Sequence, residues 1–144
     1  MKLNISYDLS DVVFRFFFSI IFIGLGVEHL FSDTIIRGMM PDWFVIKRAL
    51  SVCAGIVLLA GGFSILLGYK TRQGAFLLSG FLIIVTLTIH LPALFSPPAS
   101  LPDEWRWLWD VYQQSNLVKN LCLLGGCIHL INHRLGRFSL ENAK

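Results

Sequence analysis

Polar and apolar positions separate into long blocks along this chain. Apolar runs occupy roughly residues 12–31, 49–67, 74–95 and 117–131, parted by short segments rich in Pro, Gly and charged residues. A helix needs about 20 residues, rising 1.5 Å each, to cross a hydrocarbon layer about 30 Å thick. The first three runs reach that length alone, and the fourth reaches it with its polar flanks. The pattern predicts an all-α fold, an integral membrane four-helix bundle formed by a single domain over residues 1–144.

Composition sharpens the choice of solvent. Hydrophobic residues make up 55% of the chain and charged residues 15%, against about 25% charged in a soluble domain. Mean hydropathy is +0.67. The net charge of +3 does not indicate nucleic acid, because the basic residues are scattered and form no stripe. The N-terminal Lys2 is followed by Asp8 and Asp11, and no small-x-small site ends the first run. That run reads as a retained helix, not a cleaved signal.

Loop charges orient the helices. Alternate passage puts Lys2, Arg15, Lys70, Arg72, Arg134, Arg137 and Lys144 on one side, and Arg37, Lys47, Arg48 and Arg106 on the other. The positive-inside rule then makes both termini cytoplasmic, with Arg15 a snorkelling anchor at the inner boundary. The Asn4-Ile5-Ser6 sequon falls inside and is set aside. The inner connection is short, at Gly68–Gln73, whereas both outer loops are long. The second carries Trp105, Trp107 and Trp109, and reads as an amphipathic segment along the outer interface. The first, Met39-Met40-Pro41-Asp42-Trp43-Phe44, has a similar character.

Ionisable residues inside the apolar runs are costly in lipid and so point to pairing or function. Glu28 and His29 end the first run, Thr86 and His90 sit four apart late in the third, and Asn116, Lys119 and Asn120 open the fourth. All of them fall near the outer boundary. A Glu28–Lys119 pair would compensate two charges at partial burial, and His90 with Thr86 could face the same space. Three readings stay open: a structural salt bridge, snorkelling side chains, or a ligand pocket covered by Trp105 or Trp107. His129, near the inner end of the fourth run, is expected to make a core hydrogen bond. Cys53, Cys122 and Cys127 form no CxxC pair, and no metal-ligand spacing is present. Pairs such as Ser51/Gly55 and Cys122/Gly126 suit close helix packing.

These pieces together resemble the DoxX family of small four-helix bacterial membrane proteins. The likeness is carried by Arg15, by Phe22–His29, by Leu58-Leu59-Ala60-Gly61-Gly62 with Lys70-Thr71-Arg72, and by Asn116–Gly126. It implies a multi-pass protein of the bacterial inner membrane, in which Lys119 and Asn120 are family-like positions. The family takes its name from a membrane subunit associated with a thiosulfate:quinone oxidoreductase. The resemblance therefore implies a non-catalytic membrane partner of a redox complex, with quinone as the candidate cofactor and lipid and redox subunits as partners. The absence of a cysteine pair argues against direct sulfur oxidation. A small proton-coupled transporter and a purely structural assembly protein are the alternatives, and a homo-oligomer is compatible with either.

Overall fold

The computed structural model of the chain describes residues 6–40, 44–98 and 101–142. The Asn4 sequon, Lys2, Lys144 and the Pro41-Asp42-Trp43 part of the first loop lie outside the described residues. Those residues are mostly helical and contain no strand.

Helix α1 spans Tyr7–Phe31, starting five residues before the apolar run. Ser6 Oγ accepts the Leu9 N–H at 3.3 Å, and Asp8 sits in the first turn, where a negative charge suits the helix dipole. A short helix α2 (Thr34–Met39) follows, and α3 covers Lys47–Leu67. Gly68 ends α3 at φ +62°, a left-handed conformation that glycine adopts without Cβ strain. A Cβ there would also lie 2.5 Å from Ser139 Cβ. Helix α4 (Thr71–Val85) passes into one π turn over Thr86–His90 and then α5 (Leu91–Phe95). The π turn has a local cause. Pro92 has no N–H and its ring crowds the carbonyl one turn back. The ladder adjusts just before it, with the Leu91 N–H bonding Thr86 O five residues earlier.

Helix α6 runs Arg106–Asn132 after a tight turn at Asp103–Trp105. The tryptophan segment therefore does not lie flat as a separate interfacial piece, but forms the first turns of α6. No Pro or Gly intervenes between Pro102 and Gly125, so nothing stops the helix from starting early. Three helical segments are long and apolar enough to cross a membrane: Tyr7–Phe31, Lys47–Leu67 and Thr71–Phe95. Helix α6 is less apolar because it turns Gln113, Asn116 and Asn120 inward, where all three are buried.

Successive long helices run antiparallel. Helices α1 and α3 cross at Gly26 and Gly55, where a Cβ on Gly26 would lie 2.8 Å from Leu59 Cγ and 3.1 Å from Gly55 O. Phe22, Leu58, Leu78, Leu82, Cys127 and Leu130 fill the centre. The Phe18 ring occupies the place a side chain at position 126 would take, which seats α6 against α1. Cys122, one turn earlier, is exposed, so Gly126 alone makes that close approach.

Two arginines fasten α1 to α3 reciprocally. Arg15, only 2% exposed, donates to Leu66 O at 2.7 Å and Phe138 O at 3.1 Å, while its Nε pairs with Asp11 at 3.0 Å. It is a buried cap on the C-terminus of α3, not a snorkelling anchor. At the opposite end, Arg48 of α3 donates to Leu30 O at 3.0 Å, near the C-terminus of α1. Both cations sit where unpaired carbonyls and the negative end of a helix dipole meet.

Residues after α6 fold back over the Arg15 end. Asp11 accepts the Gly136 N–H at 3.0 Å and lies 2.8 Å from His133 Nε2. Leu140 and Glu141 donate to Leu67 O and Gly68 O. Both ends of the described chain thus share one end of the molecule. His129 is exposed rather than in the core, with its ring against Phe14 and His133.

Candidate functional site

The other end of the molecule holds a cavity of about 620 Å³. Its walls come from the last turns of α1, from α2, from the first halves of α3 and α6, and from α4 and its π turn. Most of the lining is hydrocarbon, including Phe22, Leu25, Leu58, Phe81 and Leu123, while Glu28, His29, His90, Gln113, Asn116, Lys119 and Asn120 supply the polar groups.

Most of the residues singled out in the sequence meet here. Lys119 Nζ donates to Asn116 Oδ1 at 2.7 Å; the two are three apart on α6 and share a face. Asn120 Nδ2 donates to Thr86 Oγ1 at 3.1 Å, so Thr86 supports the wall without lining it. Glu28 lines the cavity, but no ion pair joins it to Lys119 among the described residues. The expected salt bridge is replaced by an amide partner for the ammonium. His29 faces the cavity while its carbonyl accepts Ser51 Oγ at 3.1 Å. Trp105 and Trp107 do not cover the site: both are exposed and neither lines it. Trp109 is the one turned inward, donating its indole N–H to Ala93 O at 3.0 Å, which fastens α5 to α6.

One functional-site residue escaped the sequence reading. Gln113 lines the cavity, with Oε1 3.0 Å from His90 Nδ1. Gln113, Asn116 and Asn120 follow the three- and four-residue spacing of one helix face. That stripe was the available signal, hidden because the apolar run places the start of the helix later.

Two buried polar atoms at the cavity have no partner among the described residues: His29 Nδ1 and Asn116 Nδ2. Asn116 is 7% exposed. A buried donor without an acceptor costs about 1–3 kcal/mol, so this amide is a standing demand for an acceptor beside the cavity.

Helix α2 lies over the cavity end. Asp33, just before it, pairs with Arg37 at 3.1 Å and Arg48 at 2.7 Å. The Arg48 guanidinium holds the Asp33 carboxyl below its ordinary value of 3.8. Lys47 Nζ donates to Met40 O at 2.9 Å, closing the far side of this short helix.

The family model for DoxX matches residues 10–91, more than half of the chain. The chain belongs to the DoxX family. The match takes in Glu28, His29, Thr86 and His90 and stops before α6, so Asn116, Lys119 and Asn120 lie beyond it. No curated protein and no solved structure matches the chain. DoxX membership and the three apolar helices make this a multi-pass membrane protein associated with the lipid bilayer.

Proposed function

We propose that this DoxX protein is a four-helix inner-membrane subunit, both termini cytoplasmic, that holds a quinone-type molecule beneath α2 and serves a redox complex as its membrane partner. One observation carries the reading. A mostly hydrocarbon cavity presents an ammonium and an unpartnered buried amide on adjacent turns of a single helix. Small-molecule sites are typically apolar chambers of about 300–1,000 Å³ with a few placed polar groups. A quinone ring suits the apolar walls formed by Phe22, Leu58, Phe81 and Leu82. Its carbonyl oxygens accept hydrogen bonds, and Lys119 Nζ and Asn116 Nδ2 are the donors offered to one of them. His90 gives its Nδ1 proton to Gln113 Oε1, which leaves Nε2 of the neutral ring as an acceptor, suited to a hydroxyl of the reduced quinol and not to a carbonyl.

The chain's own residues would bind and orient such a molecule and keep bulk water away; electron transfer belongs to a partner subunit. Family membership is the support for the redox assignment, since the family takes its name from a membrane subunit associated with a thiosulfate:quinone oxidoreductase and other members are linked to redox or thiol-stress complexes. The four-helix topology rests on α6 running the same span as its neighbours, and the cytoplasmic ends rest on the loop charges. The test is to purify the protein in lipid nanodiscs, extract the bound quinone and titrate menaquinone and ubiquinone. Saturable binding is expected. Lys119→Met removes a hydrogen bond from a charged donor, worth about 1.5–3 kcal/mol, and should weaken affinity about 10- to 100-fold. Absence of binding in the wild type, both as purified and on titration, removes the proposal.

A further inference from the structure

The two walls of the cavity differ in kind. Its ionisable lining residues come from α1, the π turn and α6; the body of α4 and all of α3 contribute none. Helices α3 and α4 touch closely near the Gly68 turn, where a Cβ on Gly61 would lie 2.5 Å from Leu78 Cγ and one on Gly74 would lie 2.7 Å from Ser64 Oγ. Toward the other end the cavity separates them, with Leu50 and Ala54 on one side and Ile84 and Thr88 on the other. Ile84 lines the cavity and is also 63% exposed. The chamber therefore reaches the outer surface of a helix apolar and long enough to cross a membrane. Ile35 of α2, also lining the cavity, is 76% exposed and continues that rim. Thr88 Oγ1 donates to Ile84 O at 2.7 Å, so its hydroxyl is satisfied within its own helix and leaves the methyl for the opening.

We infer that the ligand enters sideways from the lipid through the gap between α3 and α4, and that it is an amphiphile whose apolar chain stays in that gap. The inference rests on the quinone reading of the chamber and adds the chain and its route. Water is disfavoured as the route because α2 overlies the polar end, tethered through Asp33 to Arg48 of α3. A polar head reaching Lys119 and Asn116 leaves its chain beside Ala54 and Ile84, where hydrocarbon meets hydrocarbon.

The test compares two quinones that share one naphthoquinone ring: menaquinone, with its long isoprenoid chain, and menadione, which has none. Each is titrated into nanodiscs holding wild type, Ile84→Trp, Ala54→Trp and Ile84→Ala. Wild type should bind both, menaquinone more tightly. Either tryptophan should weaken menaquinone at least tenfold while menadione stays within twofold, and Ile84→Ala should keep both. Menadione retained shows that the chamber is intact, so a misfolded variant cannot imitate the result. Menaquinone unaffected by both tryptophans overturns the lateral route and leaves the quinone reading standing. Equal weakening of the two quinones overturns it as well. If wild type binds neither, the quinone reading falls and takes this inference with it.

Discussion

Removing the Arg15 side chain as Arg15→Met probes how the helices are fastened. The substitution keeps an apolar stem but deletes the guanidinium that is 2% exposed. Leu66 O and Phe138 O lose donors at 2.7 and 3.1 Å, each worth about 1 kcal/mol net. Asp11 loses its cation at 3.0 Å, and breaking a buried pair from one side costs about 3–5 kcal/mol. Asp11 keeps His133 Nε2 at 2.8 Å and the Gly136 N–H at 3.0 Å, so its share falls at the low end of that range. The total expected is about 5 kcal/mol. Reversible SDS-titrated unfolding in mixed micelles measures it, and hydrogen exchange over residues 133–142 should accelerate. Combining Arg15→Met with Asp11→Asn should cost less than the sum, with coupling of about 1–3 kcal/mol. A change within about 0.5 kcal/mol, typical of an exposed surface position, with unaltered exchange in the tail would refute the capping argument.

Gly26→Leu should destabilise by about 1–3 kcal/mol through overpacking, since a Cβ already meets Leu59 Cγ at 2.8 Å, whereas a Cβ on Gly24 meets nothing within 4 Å, so Gly24→Leu should be near neutral in the same unfolding assay. The Asp33 contacts give a pH prediction. With the folded carboxyl held below 3.8, its stabilisation is complete above 3.8 and is lost as pH falls through the lower folded value. Hydrogen exchange in α2, corrected for intrinsic rates, should therefore stay flat from about pH 7 to about pH 5 and rise only below the ordinary carboxylate range. Loosening centred near pH 6 would contradict that assignment. Arg48→Ala removes the principal partner of Asp33, and should move the onset of loosening to higher pH.

Much of this arrangement was legible in the sequence, and the gaps have physical causes. Three apolar runs gave three long helices, because length and hydrocarbon content alone decide that outcome. Glu28, His29, His90 and Lys119 line one cavity because antiparallel passage returns alternate helix ends to the same side. The start of α6 was misread because its first turns are polar and aromatic, and hydropathy marks only the part that is apolar. Gln113 was lost with them. Arg15 and Arg48 looked like loop charges, since nothing local reveals that each caps a helix 51 or 18 positions away in the chain. The π turn depends on Pro92, visible in the sequence, but its effect on the ladder requires the backbone.

The central claim is that Lys119 meets a carbonyl oxygen inside the cavity. Rotational-echo solid-state NMR on protein carrying ¹⁵Nζ-lysine, reconstituted with quinone labelled with ¹³C at its carbonyls, measures that approach directly. The expected result is a dipolar coupling matching a hydrogen-bonded ammonium, with nitrogen and carbonyl oxygen about 3 Å apart, abolished in Lys119→Met. Full occupancy of the quinone with no coupling to Lys119 would contradict it.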